Sequence, residues 1–278
     1  MNDNNESYKP RAEQANILDI AFALIKSVSY KVSLRWVFYG LLQKSVYRGK
    51  KEYNDLKRLT ARARKAFYKG WTPDTLADDT RQAFTRGDGY ADEDEFLSAV
   101  GNAECTLDKW QSQDYYVELW YEAKAMHGQF AYYTEHITLR PFGGDPSIPY
   151  KWQIAKELEA ASERYGLPIV ILYFGDLDPK GLMIPDSALK DIRAWCDVEF
   201  EFIRCGLNTG DELRYNIPEN PDKPGTYQWE ALSDSAASEI IRSAISEFVS
   251  HGSFQETEDE EAEITRQFRR KWASFVSQ

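Results

Sequence analysis

Cysteine is scarce in this chain: Cys105, Cys196 and Cys205 form no CxxC pair and no zinc-finger spacing. Their odd number argues against a disulfide scaffold, and their separation argues against a thiolate zinc site. Histidine is equally thin, and His127, His136 and His251 give no HxxxH spacing. No apolar run approaches the roughly 18 residues that a membrane helix needs. The first residues, MNDNNESYKPRAEQ, lack the apolar segment of a secretory signal. A reducing cytoplasm and no membrane partner are therefore the expectation. A GxxxxGK[ST] phosphate loop is also missing, as is any recognisable ATPase pattern. Any ATP-driven step is expected to need a separate ATPase subunit.

What is present suffices for a folded protein. Of 278 residues, 42% are hydrophobic and 14% aromatic, enough apolar surface to offset chain entropy in one to three compact units. The net charge of −11 conceals an asymmetry. Residues 1–72 hold 15 Lys and Arg against 6 Asp and Glu, which leaves 19 basic and 39 acidic residues for the remainder. A basic module joined to an acidic one suits a protein that holds a polyanion with one part and cations with the other. By composition alone, the reading that comes first is an acidic part that is merely soluble.

Three helices are predicted at the basic end. EQANILDIAFALIKSV carries apolar residues at helical spacing, and SLRWVFYGLLQK follows with Ser33 as its N-cap. EYNDLKRLTARARKAFYKG is the third, with an apolar stripe of Leu56, Leu59, Ala63 and Phe67. Its cations Arg58, Arg62, Lys65 and Lys69 recur at steps of four, three and four, which places them on one face as candidate DNA contacts. A solvated helix surface has the same pattern. On the second helix Arg35, Tyr39 and Gln43 lie four apart, off the stripe of Leu34, Val37, Phe38 and Leu41. Tyr39 alone could equally be a packed tyrosine with its hydroxyl in water.

Residues 73–108 are polar and acidic and are expected to connect two units. Beyond them strands alternate with helices: DYYVELWYEAK, HITLRPFGGDPS, YKWQIAKELEAASERYG, LPIVILYFGDLDPKG, SALKDIRAWCD and VEFEFIRCGL. That alternation predicts an α/β fold with a mainly parallel sheet and crossover helices. Two amphipathic helices are expected at the C-terminus, with the acidic run ETEDEEAE as the start of the last. Glu122, Asp176 and Asp178 each close a strand at its carboxyl end, the edge where function gathers in such sheets. Three carboxylates brought together raise one another's cost of ionisation. A hard divalent cation such as Mg²⁺ removes that cost and keeps positions free for phosphate oxygens.

These motifs resemble a known family. Glu122 at one strand end, a glycine turn, and DLDPKG at another resemble the Toprim domain of topoisomerases, primases and some nucleases. LRWVFYG is similar to the segment around the catalytic tyrosine in the A subunit of topoisomerase VI and the related meiotic double-strand-break protein, where an arginine precedes the tyrosine by four residues. KEYNDLKRLTARARKAF, RPFGGDPS and TYQWEAL resemble short bacterial, phage or plasmid relatives. Here YEAKA stands where the family often has Glu-Lys, so the lysine is Lys124, and Phe38 replaces a customary tyrosine.

The resemblance implies a winged-helix DNA-binding module over 1–72, a connector over 73–108, and a Toprim domain with C-terminal helices over 109–278. It implies Mg²⁺-dependent cleavage of double-stranded DNA by Tyr39 with Arg35, a metal held by Glu122, Asp176 and Asp178, and Glu230 as a further acid. It further implies a homodimer in which one subunit's tyrosine meets the other's metal, and a place at the bacterial nucleoid or on a mobile element. A Toprim metallonuclease using activated water, a DNA-binding protein without cleavage, and a regulator with no DNA role are the alternatives.

Overall fold

The computed structural model describes residues 8–49, 51–77 and 89–276. Part of the expected connector, 78–88, lies outside the described residues. Helices α1 (Ala12–Lys26), α2 (Leu34–Gln43) and α3 (Lys51–Lys65) form the N-terminal unit. Ser33 caps α2 by accepting the Trp36 N–H at 3.2 Å, as its position before the apolar stripe predicts. The three helices close over Leu18, Ala21, Val37, Leu41, Leu56 and Trp71. The three expected helices are present, and no strand that could form a wing occurs among the described residues of 8–77.

The structure shortens α3. It ends at Lys65, and the left-handed backbone of Phe67 and Lys69 (φ 51° and 45°) turns the chain away. Phe67 therefore leaves the predicted stripe and stands exposed. Lys69 leaves the predicted cationic row and pairs with Asp19 at 3.0 Å.

The second unit is α/β. Strands β1 (Tyr116–Tyr121), β2 (Thr138–Pro141), β3 (Ile169–Phe174) and β4 (Phe200–Gly206) form one parallel sheet in the order β2-β1-β3-β4. The six residues of β1 and the six of β3 are all buried, which is why YVELWY and IVILYF are nearly continuous apolar runs rather than alternations. The other helices are α4 (Glu93–Gly101), α5 (His127–Tyr133), α6 (Ile148–Tyr165), α7 (Pro179–Trp195), α8 (Asp211–Arg214), α9 (Asp234–Ser246) and α10 (His251–Val276). Right-handed crossovers send α5 to one face, because β1 to β2 runs one way along the sheet, and α6 and α7 to the other. The contacts agree: α6 packs on α7, and α5 on α9.

Two further expectations change. The acidic run 256–263 lies inside the 26-residue α10 instead of starting a helix, because the helix already begins at His251. The described part of the connector after residue 88 is packed: Trp272 of α10 lies against Gly101, and Arg269 reaches Glu104 at 3.3 Å.

Strand order reverses between β1 and β3. In an open parallel sheet the crevice outside the carboxyl ends of two such strands is the natural ligand position. Glu122 follows β1 and Asp176 follows β3, so both emerge at that crevice.

Candidate functional site

The backbone N–H of Asp176 donates to Glu122 Oε2 at 3.2 Å, which ties the two strand ends together. Asp178 does different work from its neighbour. Its Oδ1 accepts the Gly181 N–H at 2.6 Å and caps α7, with Pro179 in the first turn behind it. Asp176 is instead 8% exposed, and its Oδ1 accepts the Trp229 backbone N–H at 2.9 Å. A short antiparallel bridge between Leu177 and Tyr227 holds the 226–231 segment against the same strand end.

That segment delivers Glu230. Trp229 is buried against Phe130 and Phe174, with its indole N–H donating to Gln129 at 2.8 Å, so the turn carrying Glu230 is fixed from behind. Glu230 is 4% exposed, and among the described residues neither carboxylate oxygen has a hydrogen-bond partner. Its nearest cation is Arg35, with Nη1 to Oε1 at 3.6 Å. An ionised carboxylate in that state is costly, because its lost hydration is replaced by one long ion pair.

Glu118 is the instructive contrast. It is fully buried in β1, yet it accepts from Arg140 at 2.6 and 2.7 Å and from the Trp120 indole at 2.8 Å. Glu118 is satisfied by its own fold and has no capacity left for a ligand. Glu230 is not satisfied, and burial with its charge pushes the neighbouring Asp176 carboxyl up to about 8; Glu122 adds to that rise. Burial likewise raises the Glu122 carboxyl, helped by the charges of Asp178 and Glu230.

Helix α2 completes the site from the N-terminal unit. Gln43 donates its side-chain N–H to the Ala231 carbonyl at 2.5 Å, and Arg35 meets Glu230, so α2 lies along the Trp229–Ala231 turn. Tyr39 is 7% exposed and belongs to the core of the sheet unit rather than that of its own helices. With Arg35, Tyr53, Asn220, Asp222 and Gln228 it lines a cleft of about 200 Å³. Burial raises the Tyr39 phenol well above its ordinary range; Glu230 and Asp176 raise it further, and Arg35 opposes them.

The structure thus gathers Arg35, Tyr39, Glu122, Asp176 and Glu230 within one chain, with Asp178 at their edge as a helix cap. It does not gather the four predicted cations, of which Lys69 lies beyond the end of α3. Arg58 pairs with Asp55, and Arg62 lines a groove with Glu13, Glu52 and Asp55, so that face is mixed in charge. Sequence reasoning passed over Arg204. From the end of β4 it donates to the carbonyls of Asp176 (2.8 Å) and Gly181 (3.1 Å), which holds the aspartate loop in place. Its signal was an arginine near the end of a predicted strand.

Another acidic group was also invisible. Glu135, His136 and Glu258 hold ligand atoms within 4.8 Å of one another on the surface, and this is the set among the described residues that close together so tightly. The strand-end acids are more widely set. Compared with family profiles, curated proteins and solved structures, the chain has no match.

Proposed function

We propose that this chain is a divalent-cation-dependent DNA-cleaving protein of the topoisomerase VI A type, with Tyr39 as nucleophile. The observation that carries the reading is Glu230: a buried carboxylate without hydrogen bonds, beside a second buried carboxylate and paired at 3.6 Å with Arg35, which lines a cleft with Tyr39. Glu230, Asp176 and Glu122, with Asp178 nearby, offer the all-oxygen donor type that a hard cation such as Mg²⁺ prefers, and their more widely set oxygens would have to draw in around it. When bound, such a cation supplies charge neutralisation at the phosphate and at the departing oxygen.

The protein's own residues account for the remainder. Arg35 is placed to hold a phosphate oxygen or to stabilise the phenolate. The Tyr39 hydroxyl loses its proton and attacks phosphorus; a phosphotyrosine bond forms at the 5′ side as the bond to the 3′-oxygen breaks, and that oxygen leaves as a hydroxyl. One ester replaces another, so no high-energy co-reactant is needed. Burial of the phenol opposes the first step, because it disfavours the charged form. The same burial favours a second reading, in which water attacks and Tyr39 only shapes the cleft.

Incubation with supercoiled plasmid and Mg²⁺, followed by denaturation with and without protease, tests the proposal. The expected product is cleaved DNA that enters a gel only after proteolysis. Tyr39→Phe should abolish the covalent adduct. Cleavage that persists in Tyr39→Phe supports the water reading, and an absence of any Mg²⁺-dependent break in the parent protein removes both.

A further inference from the structure

The two-glycine turn after β2 is held directly beside the acid site. The Phe142 N–H donates to the Tyr121 carbonyl at 2.8 Å, and the Gly143 N–H to the Glu122 carbonyl at 2.7 Å. Gly143 and Gly144 have φ of 66° and 99°, a region that other residues adopt only with strain. Over this turn stand two lysines from different elements. Lys124 follows β1, and its Cε lies 3.8 Å from where a Cβ on Gly143 would be. Lys180 sits in the first turn of α7, and its Nζ lies 3.8 Å from where a Cβ on Gly144 would be.

Among the described residues neither lysine makes an ion pair within 4 Å, and both are exposed. The acid best placed in sequence to neutralise them, Asp145, is committed elsewhere: it pairs with the buried Lys151 at 3.1 Å, and Lys151 also holds Asp191 at 3.0 Å. The chain therefore presents two lysines over bare backbone at the rim of a crevice lined by carboxylates, with Glu122 the acid that feels the charge of Lys180. Two lysines over one turn make a local positive potential, which attracts an anion of high charge density.

We propose that Lys124, Lys180 and the Gly143–Gly144 turn form a phosphate seat, which takes a backbone phosphodiester of DNA next to the acid site. It rests on the DNA-cleaving reading for the identity of the polyanion. The seat gives an acidic protein a local anchor for a polyanion, and it places that anchor on the sheet unit rather than on the mixed-charge face of α3. Lys124 and Lys180 are positioning residues: they fix where the strand lies relative to Glu122 and Asp176.

The test is binding of a fluorescein-labelled 30-base-pair duplex, read by anisotropy in EDTA at several salt concentrations, so that no cleavage is required. Lys124→Ala/Lys180→Ala should weaken binding at least tenfold. It should also lower the slope of log affinity against log salt by about 0.9, the contribution of one phosphate contact. The double arginine variant should retain both affinity and slope. A control, Lys190→Ala/Lys271→Ala, removes equal charge from the later part of α7 and from α10 and should change the slope little. The proposal is overturned by an unchanged slope in the seat variant, by an equal loss in the control, or by failure of the parent protein to bind duplex. A parent that binds duplex through the seat but never cleaves it would remove the DNA-cleaving reading and leave the seat standing.

Discussion

Glu118 and Glu230 show how little a residue's type says about its part. Both are buried glutamates on the sheet unit, yet one is saturated by Arg140 and Trp120, and the other faces only a long pair to Arg35. The sequence marked Glu230 through TYQWEAL, but its lack of partners depends on Trp229 being locked behind it, and no local pattern encodes that. Asp176 carries the thermodynamic consequence. Its carboxyl is raised in the folded state, to about 8, so the folded protein holds this proton more tightly than the unfolded chain does. Stability from that group is complete below the ordinary aspartate range and is lost as pH rises toward 8. In EDTA, urea denaturation should show stability falling with pH between about 4 and 8, by at most about 1.4 kcal/mol per pH unit from this group. Asp176→Asn should flatten that slope and be more stable than the parent at pH 8; an unchanged slope would show that the carboxylate is already compensated.

At the scale of elements, β1, β3, α2 and the helical character of α3 were legible because burial on both strand faces, a serine cap and an apolar stripe are local signals. The ends of α3 and α10 were not. Lys69 looked continuous with a helical cation row until the left-handed backbone at Phe67 removed it, and the poor helix formers His251, Gly252 and Ser253 hid where α10 begins. The turn from β3 into α7 is the element on which the site depends. A Cβ on Gly181 would stand 2.9 Å from Glu122 Oε2 and closer still to the Asp176 carbonyl. Gly181→Ala should therefore move the aspartate loop and destabilise the protein by about 1–3 kcal/mol, as overpacking does. Thermal unfolding with and without Mg²⁺ measures this. The variant should lose any cation-induced rise in midpoint that the parent shows, and a variant with parental stability and an intact rise would mean that the loop tolerates the methyl.

On the scale of the whole molecule, the N-terminal helices and the sheet unit meet through α2, and Tyr39 is buried in the core of the unit that carries the acids. The Tyr30 hydroxyl adds a second tie: it donates to Asp234 and accepts from Gln129 at 3.1 Å. The resemblance implies a tyrosine reaching the metal of a second subunit, whereas this fold sets Arg35 and Tyr39 against the acids of their own chain. Mixing Tyr39→Phe with Asp176→Asn should accordingly restore no covalent adduct; recovery toward half of the parental level would show exchange between chains. The sequence by itself determined the α/β class, the charge asymmetry and the carboxylates at strand ends, because apolar runs, charge and strand–helix alternation are written along the chain. Only the tertiary structure decided which carboxylate caps a helix, which is satisfied and which is left bare, and that α2 lies beside them. Those outcomes depend on partners such as Arg35 and Glu230, which are far apart in sequence and meet only once both cores have packed.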